Sequence, residues 1–391
     1  MNKHIPQGYK DSPLGIIPKE WEVKKILDFA PLQRGFDLPT DKVIKGKFPV
    51  VYSNGILNYH SEYKAKGPGV VTGRSGTIGK VTFVESDYWP HNTSLWVTDF
   101  KGNNPKYVFY VYGFMDLYKF ASGSGVPTLN RNDVHISKVA VPSIEEQNAI
   151  VKLLELWDTA IEKQSELTEK LKLRKYALMQ QLLTGKKRLP KFGEEWKRIK
   201  LGDITERVTR KNVEDNKNVV TVSAQMGFVV QTDFFNKSVA SGTLDNYFLV
   251  YKNEFCYNKS YSNGYPMGAI KRLKTFDKAV VTTLYICFRL KEKASVNINF
   301  FEQYCESGIF NKELVKIANE GGRAHGLLNV TPSDFFNIHM SIPDIDEQNA
   351  MASVLVNADK EIELAKEKLE NLQSQKRGLM QQLLTGKKRI I

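Results

Sequence analysis

Cysteine is scarce: three in 391 residues, at Cys256, Cys287 and Cys305. An odd number at wide spacing makes neither a disulfide framework nor a zinc pattern, and fits a reducing compartment. The six histidines are scattered without metal-ligand spacing. No apolar run approaches the roughly 18 residues of a membrane span. The start, Met1-Asn2-Lys3-His4-Ile5-Pro6-Gln7-Gly8, has no apolar signal core. A cytoplasmic chain without a metal of its own is therefore expected. Catalytic signatures are also missing. No Gly-rich loop of the methyl-donor or P-loop kind follows a strand and opens a helix. Asn103-Asn104-Pro105-Lys106-Tyr107 only brushes against an Asn-Pro-Pro-Tyr methylation motif. Pro343-Asp344 lacks the Glu-x-Lys that would continue a nuclease motif, and reads as a helix cap. No catalytic residue is expected. Acidic residues are in deficit, 43 against 56 Lys and Arg, which leaves a net charge of +13. That excess suggests an acidic polymer as partner, nucleic acid or an anionic membrane face.

What the chain does contain is a duplication. Leu178-Met179-Gln180-Gln181-Leu182-Leu183-Thr184-Gly185-Lys186-Lys187-Arg188 returns letter for letter from Leu379 to Arg389. Pro142-Ser143-Ile144-Glu145-Glu146-Gln147-Asn148-Ala149 is echoed at the same offset by Pro343-Asp344-Ile345-Asp346-Glu347-Gln348-Asn349-Ala350. A period of about 200 residues is far too long for a solenoid and describes a two-domain tandem.

Each copy predicts one long helix. Ser143 with Glu146, and Asp344 with Glu347, have the spacing of a capping box. Ile150, Leu153, Trp157, Ala160, Gln164, Leu167, Leu171, Arg174 and Leu178 alternate by three and four, a heptad seam. The second copy gives Met351, Val354, Ala358, Ala365, Leu372 and Leu379 in the same phase, broadened by Ile362 and Leu369. Gly185 and Gly386 stand where left-handed C-caps are wanted, each followed by Lys-Lys-Arg at the negative helix end. A helix of about 40 residues, roughly 60 Å long, needs cover along its stripe. The other copy is the expected partner; separate packing onto each globular segment is the alternative. Gln164 and Arg174 either fix the register or lie at the rim of the seam.

Residues 20–141 and 195–342 are rich in short β-prone runs broken by Gly, Asn and Pro, with helical patches at 106–118 and 298–317. They read as α+β domains. Both open alike, Glu20-Trp21 leading to Asp28 and Glu195-Trp196 to Asp203, and then diverge. Two near-identical scaffold parts joined to two unlike globular parts suit two sites for two targets.

Together these features resemble the specificity subunit of type I restriction–modification systems, over essentially the whole chain. The resemblance is carried by the opening from Gly8 to Trp21, its echo Leu189 to Trp196, and the Pro-x-x-x-Glu-Gln starts and Gln-Gln-Leu-Leu-Thr-Gly ends of the helices. Gly73-Arg74-Ser75-Gly76-Thr77-Ile78-Gly79-Lys80-Val81 is similar to a segment of the family's recognition domains; its counterpart, Asn258 to Gly264, is altered. The resemblance implies two target-recognition domains, 1–141 and 189–342, separated by helices over 142–188 and 343–391 that form an antiparallel intramolecular coiled coil with pseudo-twofold organisation. It implies a non-catalytic reader of a split double-stranded DNA target. It also implies methyltransferase (M) subunits, two of them, and restriction–translocase (R) subunits as partners. S-adenosylmethionine, ATP and Mg would then reside on those partners, with no cofactor in this chain and no membrane contact. A methylation-only or other bipartite system would use the same reader. A single-chain enzyme and a coiled-coil scaffold without DNA are the competing classes.

Base reading needs side chains on surface loops, and binding needs cations for phosphate. Arg74, with Ser75 between glycines, is the leading base-contact candidate, since Arg can hold guanine by two hydrogen bonds. Tyr52, Ser53, Asn54, Asn92, Thr93 and Ser94 are polar clusters of the right type. In the second domain the candidates are Ser223, Gln225, Asn258, Lys259, Ser260, Tyr261, Arg323 and His325. For phosphate the candidates are Arg34, Lys42, Lys45 and Lys47, then Arg207, Arg210 and Lys211. The alternative for each is an ordinary turn or solvated surface.

Overall fold

The structure, a computed structural model, describes residues 5–123, 125–231, 244–318 and 327–390. It falls into two compact units, one joining Met1–Ser165 to Glu367–Ile391, the other spanning Glu166–Lys366. Each unit contains one globular segment and parts of both long helices, Ile144–Leu182 and Ile345–Leu383, which are 39 residues apiece.

The globular segment of the first unit is built on a four-stranded antiparallel sheet. Its spatial order is Leu32–Arg34, Ser94–Val97, Gly69–Gly73, Val81–Val84. The Gly69–Gly73 strand is buried on both faces, as its apolar run requires. Lys45–Tyr52 pairs with Gly55–His60 in a separate hairpin, extended by Trp89–Pro90. The second unit repeats the main sheet with the same order: Thr205–Arg207, Ile286–Leu290, Phe255–Asn258, Ala269–Arg272. Val220–Ser223 and Gly227–Val230 form its separate hairpin.

The helical patches are shorter than their patterns. Asn104 caps Pro105–Phe114, its side chain accepting from the N–H groups of Lys106 and Tyr107. The pattern over 298–317 breaks into Ile298–Glu306 and Asn311–Ile317, because Gly308 between them has φ +75°. Left-handed backbone there ends the helix.

Both expectations for the long helices hold in part. Their ends enter the globular cores. Ile150, Val151, Leu154, Leu383 and Leu384 pack with Trp21, Phe29, Tyr107 and Tyr112. Leu182, Leu183, Met351, Ala352 and Leu355 pack with Phe255, Phe288, Phe301 and Phe335. Between those ends the helices lie against each other, antiparallel in each unit. In the first, Asp158 pairs with Lys376 and Glu146 with Arg389. In the second, Lys175 pairs with Asp359 and Arg188 with Glu347.

The seam is correct at every second position and one residue off at the others. Ile150 is buried and Trp157, Leu171 and Leu178 are half-buried, but the intervening positions are Leu154, Ile161, Thr168, Lys175 and Leu182. Leu153 is only half-buried, and Ala160, Leu167 and Arg174 face solvent. Arg174 pairs with Glu361 at that rim. Gln164 and Thr168 are buried.

The capping boxes are half formed. Ser143 Oγ accepts from Glu146 N–H at 3.4 Å, and Asp344 Oδ1 from Glu347 N–H at 2.9 Å. The glutamates do not reach back. Glu347 accepts both Arg188 guanidinium nitrogens at 2.6 Å and the Trp196 indole N–H at 3.2 Å. Glu146 accepts from Arg389 at 3.2 and 3.0 Å and from Trp21 at 3.0 Å. Gly185 and Gly386, with φ +71° and +70°, turn the chain so that the following arginines can do this. The next two residues dock the cores. The side-chain carbonyls of Gln147 and Gln348 accept the backbone N–H groups of Asn104 and Asn297, each of which caps a core helix. The duplicated Glu-Gln-Asn is therefore a joint in which Gln and Asn hold one cap residue between them: Asn148 and Asn349 accept from the side chains of those same two cap residues.

Candidate nucleic-acid interface

In the first unit three turns converge at one end of the main sheet. They are the turn at 53–54, the loop 74–80 and the turn at 91–93. Arg74 and Ser75 donate their backbone N–H groups to the Thr93 carbonyl at 2.8 and 3.2 Å. Ser53 N–H donates to Thr93 Oγ1 at 3.3 Å. The Tyr52 ring lies against His91, centroids 4.2 Å apart, and burial lowers the His91 pKa, favouring the neutral ring. Lys80, absent from the sequence-based candidates, donates to the Asn54 carbonyl. Tyr52, Ser53, Asn54, Arg74, Ser75, Asn92 and Thr93 thus form one surface, from residues up to 41 positions apart.

Gly73 makes this arrangement possible. A Cβ there would sit 1.7 Å from the Thr77 carbonyl oxygen and 2.9 Å from that of Ser53. The Arg74 side chain reaches only the Asn92 carbonyl, at 3.5 Å. Among the described residues no carboxylate pairs with it. Beside it lies a groove of about 420 Å³ lined by Gln33, Arg34, Leu95 and Thr128–Arg131. Arg131 was not among the sequence candidates.

Ser94 is a correction. It is fully buried, and its hydroxyl is committed to the carbonyls of Val51 and His91 at 3.2 and 2.7 Å. It fixes the turn and cannot reach a base. Arg34 and the Asn92 amide both donate to Asp37. Lys45 and Lys47 are exposed on the strand that ends at Tyr52, but Lys45 is seven residues from that end, on the order of 20 Å. They and Lys42 are not part of the converged surface.

In the second unit, the Asn258 side chain donates to the Val222 carbonyl at 2.8 Å and accepts from Ser260 N–H at 3.0 Å. Buried Ser223 accepts from Met226 N–H, and Gln225 donates to the Asn263 carbonyl at 3.0 Å. Ser223 and Asn258 are corrections, since their polar groups hold the loops in place. Tyr261 is 64% exposed. Lys259 is half-buried, and burial lowers its pKa; among the described residues its ammonium has no partner. Arg210 is also corrected. It grips Glu254 with two hydrogen bonds, stacks 3.8 Å from the Tyr251 ring and donates to the Leu249 carbonyl, so a buried carboxylate offsets its charge and most of its donors are engaged within the fold. Lys211 donates to the Asn246 carbonyl at 2.7 Å, and Arg207 is exposed at a strand end. Arg323 and His325 lie outside the described residues.

The two surfaces correspond at the start of the Arg74 and Lys259 loops. Leu129 N–H donates to the Arg74 carbonyl at 2.7 Å, and Leu328 N–H to the Lys259 carbonyl at 3.0 Å. Ser75 bridges Thr128 as Ser260 bridges Leu327. Lys259 therefore stands where Arg74 does. The loops differ in length, 74–80 against 259–268.

A family model for the type I restriction modification DNA specificity domain matches residues 18–173 and 193–374. The chain belongs to this family. Specificity domains of this family recognise DNA sequence, and the chain carries two. It is 23% identical over 426 residues to the type I restriction enzyme MjaVIII specificity subunit of Methanocaldococcus jannaschii, covering 96% of this chain and 94% of that one. It is 27% identical over 167 residues to the EcoprrI specificity subunit of Escherichia coli, covering 41% and 42%. Among solved structures, the type I S subunit from M. genitalium shares the fold, with TM-score 0.56 at 15% identity over 93% of this chain and 96% of that one. Among the described residues no helix is long and apolar enough to cross a membrane, and no cluster of His, Cys, Asp or Glu could hold a metal.

Proposed function

We propose that this chain is the non-catalytic reader of a type I restriction–modification complex. It recognises a double-stranded DNA target in two halves, one per specificity domain, and directs M and R subunits to it. The observation that carries this reading is the pair of surfaces built on one sheet topology with unlike loops. Arg74 on a short loop meets one half; Lys259 on a longer loop meets the other. A planar guanidinium and a compact ammonium on loops of unequal length meet base edges in different geometry, which supports halves of different sequence. The polar joints at Glu146-Gln147-Asn148 and Glu347-Gln348-Asn349 occur twice, which supports two copies of any docking surface and hence two M subunits. S-adenosylmethionine, ATP and Mg belong to those partners in this reading, and the chain works in the cytoplasm.

Mapping methylated adenines in cells that carry the chain with its M subunit tests the proposal. Two fixed half-sites at constant spacing are expected; one contiguous site would overturn it. Arg74→Ala should weaken specific binding by about 1–3 kcal/mol and relax one base position in one half. A binding titration showing unchanged affinity and selectivity removes Arg74 from the role. About six phosphate contacts would give a log–log salt slope near −5.

A further inference from the structure

We infer that Arg131 and Arg34 clamp a DNA phosphate beside Arg74, and that the corresponding positions of the second domain do not. This rests on the DNA-reading role proposed above; Arg34 is already a phosphate candidate of the sequence, and the structure adds Arg131 beside it.

The groove next to Arg74 has walls from four separate segments: the end of the Leu32–Arg34 strand, the Arg74 loop, Leu95 on the strand between them and the stretch from Thr128 to Arg131. Three guanidinium groups line it, and no acidic residue does. Arg34 shares Asp37 with Asn92, so one carboxylate offsets one of three charges. Among the described residues no carboxylate pairs with Arg131. Its charge is felt nearby: burial and then Arg131 depress the pKa of His135. A concave site with surplus guanidinium charge suits a phosphodiester, whose two free oxygens match the Arg fork.

The second domain replaces both flanking arginines. Register through the paired strands puts Thr209 where Arg34 stands. The helix that follows the bridge starts at Arg131 behind the Asn130 cap in the first domain and at Pro332 behind the Thr331 cap in the second, so Pro332 stands where Arg131 does. Of the three corresponding positions, only that of Lys259 carries a cation. The two halves of the target are thus held with unequal electrostatic grip. Base contacts specify and phosphate contacts position, so Arg131 and Arg34 should set affinity and salt response while leaving the preferred sequence alone.

The test uses the full chain with its M subunit and a duplex carrying the mapped target, titrated across salt concentrations. Arg131→Gln should weaken binding several-fold, equally on target variants, and reduce the salt slope by about 1. Arg131→Lys, which keeps the charge, should retain the slope and so separates loss of charge from loss of fold. Lys101→Gln, an exposed cation paired with Asp99, should leave the slope unchanged. An unchanged slope in Arg131→Gln overturns the clamp, as does a changed base preference. If the wild-type complex itself binds no DNA with specificity, the DNA-reading proposal fails, whatever the variants do.

Discussion

Arg188→Ala should cost about 3 kcal/mol of stability in the second unit. Glu347 is 1% exposed, and both of its oxygens are occupied by Arg188. Removing the arginine strands a buried carboxylate with the Trp196 indole as its remaining side-chain donor. Breaking a buried pair from one side is the costly direction, because the remaining charge has lost its compensation. The reverse change should be milder. Glu347→Gln leaves Arg188, whose side chain is 25% exposed, free to be solvated, and Gln still accepts from Trp196. Urea unfolding of the two variants checks the ordering. Equal losses, or a loss below about 1 kcal/mol for Arg188→Ala, would mean water already screens the pair. The joint in the first unit has longer contacts, 3.0 and 3.2 Å, so Arg389→Ala should cost less.

Gly73→Ala should abolish recognition of one half-target and leave the other intact. The added methyl carbon would overlap a backbone carbonyl at 1.7 Å, and no rotamer change can move that atom. Either the strand end shifts or the loop carrying Arg74 is rebuilt. Overpacking of this kind costs about 3 kcal/mol, concentrated at the loop. Gly76 and Gly79 are different. Their φ values are +80° and +87°, and nothing lies within 4 Å of a Cβ. Alanine there carries only conformational strain, about 1 kcal/mol. Methylation mapping with each variant is decisive. Retention of both half-sites by Gly73→Ala would show that the loop tolerates displacement.

The duplicated motifs made the architecture legible, because a repeated helix start and stop needs no tertiary information to be recognised. The seam was harder. Leu153 and Leu154 both continue an alternation of three and four from Ile150. Exposed Leu167 adjoins buried Thr168, so hydrophobicity favours the wrong neighbour. Polar roles depended on partners distant in sequence. Arg210 looks like a surface cation until Glu254 is brought beside it, and Ser94 looks like a loop hydroxyl until the Val51 carbonyl closes over it. Arg131 belongs to the opposite case. It lies in a short helix with no distinctive motif and gains significance only when the sheet brings Arg34 and Arg74 alongside.

The Glu-Gln-Asn joints touch the globular segments at Trp21, Asn103 and Asn104, and at Trp196, Ser295 and Asn297. None of these positions lies on the turns that carry Arg74 or Lys259. On the proposed reading, drift in those turns would alter the target without requiring a matching change where the helices attach. New targets would then be tried one turn at a time while the framework stays fixed.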